Sequence, residues 1–427
     1  MPAHIANGVT CRPEDGAGAG ESARYEDRRS FGTTKAHVAK LADPRIMPFA
    51  VQMIQQCRPE MSSSENSRKI KFNLEPLPPL QSLGSTWMRV DAAGTHSFFL
   101  TWTWIGTWLR CVPCPQTMLL RATRGDEVVG LALLTLNRAT RTGMPVKQRT
   151  LNTAGDPAYD SITIEHNGFA HSNVGADELW NAFWPWLASR APEDEEFVLA
   201  AVDAQVSSAM PAEYTVLRRE IGYRTPLQKF KTLEGLLSSL SRNSRQKLRR
   251  SLRDYEQEGP LSIEIARDSQ TALLFFAKMR ELHISSWGRR QRAHAFVHPF
   301  FETFHRSLIR RGVADGNVDL IRVCAGNRAI GYLYNFRYGG TVSNYQSGFD
   351  DADRQFRPGY VSHALAITHY AASGMSYYDF LAGISRLKQS YGLERYELCW
   401  CGPRSIIINF RPRAVLEKAT AWLRSKK

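Results

Sequence analysis

No apolar run in this chain approaches the roughly 18 residues that a membrane helix requires. The richest stretch, Phe98 to Leu109, is short and broken by threonines. The opening Met1-Pro-Ala-His-Ile-Ala-Asn lacks the charged-then-apolar layout of a secretory signal. A cytoplasmic location is expected, with loose attachment to the inner membrane surface left open. Cysteine is scarce and odd in number, seven in 427 residues, which argues against a disulfide framework. Cys111-Val-Pro-Cys114 and Cys399-Trp-Cys401 do not share the usual zinc spacing, so no metal is expected. Acidic charge is also short: 41 acidic residues face 55 basic ones, for a net charge of +14. An anionic partner follows, whether a nucleotide cofactor, tRNA or a phospholipid surface.

What the chain does contain is 43% apolar and 11% aromatic residues, enough for a substantial core and two or three domains. The first 72 residues hold eleven basic and eight acidic residues and no sustained periodicity. They read as a disordered tail.

Beyond the tail the sequence repeats at a spacing of 201 residues. Arg121-Ala-Thr-Arg-Gly125-Asp-Glu-Val-Val-Gly130 and Arg322-Val-Cys-Ala-Gly326-Asn-Arg-Ala-Ile-Gly331 both read as strand, turn and returning strand. Ahead of each lies an aromatic segment, Phe98-Phe99 with Trp102 and Phe300-Phe301 with Phe304, that reads as an amphipathic helix. Such order at nearly the same offset predicts a duplicated α/β domain, with residues 73–225 and 226–427 as its copies. Ser161–Ile164 reads as a strand, Trp180 to Leu187 as a helix complicated by Pro185, and Phe197–Val202 as the strand closing the first copy.

Between the copies, Leu240 to Tyr255 is an amphipathic helix whose Arg242, Arg245, Arg249 and Arg253 form one stripe. Stacked like charges cost stability. The stripe is therefore either a solvated face or part of an anion site, with Arg242, Arg245 and Arg249 as its ligands.

The second copy carries the more specific string. The strands Gly331–Tyr338 and Thr341–Phe349 lead to Arg357-Pro358-Gly359-Tyr360 and a helix to Ser373. Tyr378-Asp379-Phe380-Leu381 then opens onto Gly383, Arg386, Lys388 and Tyr391. This resembles the D-F-L-x-G-x-x-x-Y-K pattern of the GNAT acyltransferase fold. The tandem form of that fold is shared by FemAB-like aminoacyl transferases and CelD-type acetyltransferases linked to cellulose and other exopolysaccharides. Leu387 replaces the aromatic common before the lysine, and Phe356 and Val361 depart from the usual coenzyme A signature.

The resemblance implies two tandem GNAT-like α/β (α+β) domains, each a mixed sheet flanked by helices. It implies an acyltransferase taking acetyl-CoA or another acyl-CoA as donor and a sugar or amine as acceptor, beside polysaccharide-biosynthesis machinery. Aminoacyl-tRNA is the alternative donor, and a non-catalytic binding module the third reading. Arg357, Pro358, Gly359 and Tyr360, at a helix N-terminus, would hold a pyrophosphate. The acyl carbonyl would lie near Tyr334-Asn335-Phe336. Asp379 would be base or amine-orienting carboxylate and Tyr345 the proton donor to the leaving group, unless both are structural. Lys388 and Arg386, with Tyr391 close by, would meet phosphate.

Overall fold

The computed structural model describes residues 69–404, apart from 95, 114–115, 142–143, 191–194 and 290–294. The tail expected over 1–72 therefore lies, up to residue 68, outside the described residues, as do Cys114 and residues 405–427. From Lys69 on, the described residues form one compact unit.

A first series of elements begins with β1 (Ile70–Pro76), α1 (Leu80–Ala92) and α2 (Trp102–Cys111). It continues through β2 (Thr117–Arg124), β3 (Glu127–Arg141), β4 (Met144–Leu151) and the short β5 (Ala170–His171). It closes with α3 (Ala176–Arg190), β6 (Glu195–Asp203) and β7 (Tyr214–Pro226). After α4 (Leu233–Ser239) and α5 (Arg242–Glu256) a second series follows. It comprises β8 (Leu261–Ile265), α6 (Ser269–Arg289), α7 (Pro299–Ala314), β9 (Val318–Ala325), β10 (Arg328–Tyr338), β11 (Thr341–Phe349), α8 (Pro358–Ala372), β12 (Tyr377–Ala382), α9 (Arg386–Tyr391) and β13 (Glu394–Pro403).

All of these strands share one mixed sheet, ordered β1-β2-β3-β4-β6-β13-β7-β12-β11-β10-β9-β8, with β5 paired to β3. Each series runs inward from an outer edge by the same steps. Antiparallel pairing carries β1 to β4 and β8 to β11, and a parallel step then reaches β6 or β12. At the centre the last strands change sides. β7 pairs with β12 of the second series, and β13 with β6 of the first.

The repeat read from the sequence is visible atom by atom. Gly125 and Gly326 turn the two hairpins at φ +60° and +55°, a region that favours glycine. Val129 and Ile330, 201 residues apart, are each skipped by the ladder as a β-bulge. Arg121 and Arg322 each reach across to the edge strand, Nε lying 2.9 Å from Glu75 and from Glu264.

Apolar side chains explain how the series lock together. Trp104 of α2 meets Phe304 of α7 edge-on at 4.9 Å, and Phe98 stacks on Phe336 at 4.4 Å. Each such pair contributes about 0.5–1.5 kcal/mol beyond its burial. α3 runs through Pro185 without ending. The strand expected at Ser161–Ile164 is instead a single 3₁₀ turn, Asp160–Ile162, within an irregular strap. Its backbone is tied down by Asn152 and Asn167 rather than by a ladder: Asn152 Nδ2 donates to Asn167 Oδ1 and Gly168 O, and Asn167 Nδ2 to Leu151 O.

Candidate functional site

β11 and β12 pair for three residues each, Thr341–Ser343 with Tyr377–Asp379, and then part. The causes of the divergence are local. Asp379 Oδ1 accepts the Leu381 N–H at 2.8 Å, an Asx-type turn two residues long. Leu381 adopts φ +60° and Gly383 φ +104°. Lys388 Nζ then donates to the Leu381 and Ala382 carbonyls at 3.0 and 2.6 Å. The aspartate, glycine and lysine of the string thus shape one sharp turn. β11 adds a bulge of its own, since Tyr345 stands outside its register with β10. A bulge leaves one residue unpaired in the ladder.

Where the strands part, a cavity of about 500 Å³ opens, lined by β11, the β12–α9 turn, Phe301, His363 and Glu165. Glu165 comes from the strap of the first series. Its Oε2 accepts the Ala382 N–H at 2.7 Å. Burial raises its pKa to about 7, against the opposing pull of that hydrogen bond and of the His166 and Lys388 charges. A carboxyl group balanced near neutrality can take up and release a proton at working pH.

The next residue, His166, joins both series. Its Nδ1 lies 2.7 Å from Asp203 Oδ1 and its Nε2 3.3 Å from Asp379 Oδ2. Burial alone would lower its pKa, but the two carboxylates outweigh burial and hold it up at about 10. The histidine is held at φ +48°, strain that the ion pairs and the Ser97 Oγ–His166 O hydrogen bond offset. Tyr396 Oη donates to Asp379 Oδ1 at 2.8 Å. His363 is buried and uncharged, its pKa pushed down to about 3 by burial and by Lys388.

The residues singled out in the sequence fall into three groups. Asp379, Tyr345 and Lys388 converge at the parting strands, with their polar atoms already engaged. Tyr345 Oη donates to Ile162 O at 2.6 Å, so its hydrogen is committed to the strap rather than pointing at a leaving group. The Lys388 ammonium is turned inward onto two carbonyls, and burial lowers its pKa. The second group sits at the α8 and α9 termini. Tyr391 is buried and donates to Tyr360 O at 2.7 Å, while Arg386 is exposed on α9. Arg357 is the left-handed N-cap of α8. Pro358 has no N–H, and Tyr360 and Val361 return theirs to Arg357 O. At most Gly359 can offer an amide from that turn.

The third group is the α5 stripe. Arg249 pairs with Glu234, Arg245 Nη2 donates to Leu240 O at 3.2 Å, and Arg242 is exposed. β10 is laddered on both edges through Tyr334–Phe336. The strand that faces the opening is β11, at its Tyr345 bulge, and not the Tyr334–Phe336 segment of β10.

Sequence reasoning did not single out Glu165 or His166. They lie in an aperiodic strap, and the one local signal is the polar run Glu-His-Asn following the apolar alternation Ile162, Ile164.

Comparison with known proteins fits this geometry. Residues 242–389, which include the parting strands, match the model of the acetyltransferase (GNAT) domain. The second series therefore carries a GNAT-like acetyltransferase domain. Among solved structures, FemX is similar at 12% identity, over 77% of this chain and 96% of that one, with a TM-score of 0.50. L-PGS from Bacillus licheniformis has a TM-score of 0.45 at 10% identity, covering 79% of this chain and 98% of that one. The expected fold is thus found: a tandem GNAT-like α/β architecture similar to that of FemX. No curated protein matches the sequence. Among the described residues, no helix is long and apolar enough to cross a membrane.

Proposed function

We propose that the protein is an acyltransferase that moves an acyl group from acetyl-CoA or another acyl-CoA to an amine or hydroxyl of a sugar or related acceptor. The observation that carries this reading is Glu165, a buried carboxyl group poised near pH 7 inside the opening between β11 and β12. The acceptor's nitrogen or oxygen attacks the thioester carbonyl, and its proton passes to Glu165. The oxyanion is received by backbone N–H at the Tyr345 bulge. The carbon–sulfur bond then breaks and the thiolate leaves, taking up a proton.

In this reading Asp379 acts by position. It shapes the turn that presents Ala382 N–H to Glu165, and His166 and Tyr396 hold it in place. Lys388 locks the same turn and lowers the proton affinity of Glu165. Gly359 and the Arg357 side chain serve the donor's phosphates, with Arg386 at the rim. Residues 73–225 and 226–427 form the two tandem domains, and the first supplies Glu165 and His166 instead of an active site of its own. Polysaccharide-biosynthesis machinery at the cytoplasmic face is the setting proposed, on the CelD-type resemblance of the second-series string.

A second donor, aminoacyl-tRNA, is favoured by one observation: Arg242, Lys247, Arg250 and Arg253 are all exposed on α5, a basic face that fits a phosphate backbone. Incubation with an amino sugar and either labelled acetyl-CoA or charged tRNA separates the readings. Label transferred from acetyl-CoA, with free thiol released in equal amount, supports the first. Label transferred from tRNA alone replaces it with the second, and transfer from neither rejects both.

A further inference from the structure

The strap that delivers Glu165 also walls off a second cavity, of about 320 Å³. Thr163 lines both spaces, while Asp160 faces this one and Glu165 the other. The chemistry of this second space differs from that of the first. Trp400 of β13 lines it, its ring covered at 3.8 Å by the Arg218 guanidinium. Such a cation over the ring fixes the orientation of the indole. Gln148 of β4 also lines it. That residue is only 8% exposed. Its amide can both donate and accept a hydrogen bond. Asp160 presents a carboxyl group that burial raises to about pKa 6 while Ala154 N–H binds one of its oxygens.

A flat aromatic wall, an amide able both to donate and to accept, and a carboxylate together suit one kind of ligand. It must be neutral, carry hydroxyls along its edge, and have an apolar C–H face to lay on an indole. A pyranose ring has all three properties. A phosphate has neither an apolar face for the indole nor hydroxyls along an edge. We propose that this cavity binds a saccharide unit of the acceptor, and that the strap lets the neighbouring unit reach Glu165. This inference rests on the acyltransferase reading for its biological sense, but the binding itself needs no donor.

The test is tryptophan fluorescence of the full chain, without any acyl donor, titrated with two probes, cellobiose and N,N′-diacetylchitobiose. Saturable quenching by at least one probe, with a dissociation constant on the order of 1 mM, is expected. Trp400→Ala and Gln148→Leu should each weaken it at least ~10-fold. The melting temperature of Gln148→Leu, measured beside the titration, separates lost binding from a lost fold. Absence of saturable quenching in the parent, binding that survives either cavity substitution, or quenching by coenzyme A but by neither sugar would overturn the proposal. Because donor chemistry is absent from the titration, a failed acyl transfer and a failed sugar site register separately.

Discussion

Glu165 accepts a hydrogen bond from the backbone N–H of Ala382 at 2.7 Å, across 217 residues of chain. That single contact places a first-series carboxyl group at the point where the second-series strands part. The opening is therefore built by both series, and the turn that holds Ala382 decides where the carboxyl lies.

His166 reports on the junction. Its pKa is held at about 10, above the ordinary 6.5, so its stabilising contribution is fully present below pH 6.5 and is lost as pH rises through 10. His166→Gln should cost on the order of 3 kcal/mol at pH 6 and much less near pH 10. Chemical denaturation of both proteins at the two pH values checks this. An equal cost at both would mean that the two carboxylates do not hold the charge.

Lys388 and Asp379 should move the titration of Glu165 in opposite directions. Lys388 lowers the pKa of Glu165 and Asp379 raises it. Lys388→Met should shift the rising limb of the kcat/KM profile toward alkaline pH, and Asp379→Asn toward acid pH, each by about half a unit to one unit. Shifts of the same sign would point to a general disturbance of the turn.

The exchanged strands make the two series interdependent. A fragment spanning 69–226 leaves β6 without β13, and one spanning 227–404 leaves β12 without β7. Unpaired central strands expose buried backbone groups. Neither fragment should give a cooperative thermal transition alone, whereas the two mixed should recover one. Independent folding of either fragment would contradict the pairing seen at β7 and β13.

Gly222 offers a local test. A Cβ at this position would run into the Tyr396 ring, and Tyr396 donates to Asp379. Gly222→Ala should destabilise by about 1–3 kcal/mol and lower turnover. Tyr396→Phe should lower turnover with a smaller loss of stability, which differential scanning calorimetry beside rate measurements would show.

Local features carried much of this fold into the sequence. The hairpins at Gly125 and Gly326 announce themselves through turn glycines and β-rich flanks, and α8 and β12 through periodicity and the Asp379-to-Lys388 string. The centre of the sheet was not legible, because β7 and β13 meet through pairs of residues 170 or more positions apart, such as Arg224 and Glu394. The arginine stripe of α5 was visible, but its carboxylate partner Glu234 sits on a separate helix and could not be matched to Arg249 in advance. Glu165 escaped for a different reason. Its strap is held by asparagine side chains, so no period marks it.

The most direct test of the account is the pH dependence of acyl transfer in the parent and in Glu165→Gln. Burial holds the Glu165 proton on to about pH 7, against an ordinary 4.5. The buried ionised carboxylate therefore lowers stability above pH 7, while the group costs little below 4.5. The parent's kcat/KM should rise with pH through about 7 and then level off. Glu165→Gln should lose ~10²–10⁴ in turnover and the limb near 7. It should also be the more stable protein at pH 8, by up to about 3 kcal/mol. A variant that turns over as the parent does, with the same rising limb, would remove Glu165 from the chemistry and contradict the account at its centre.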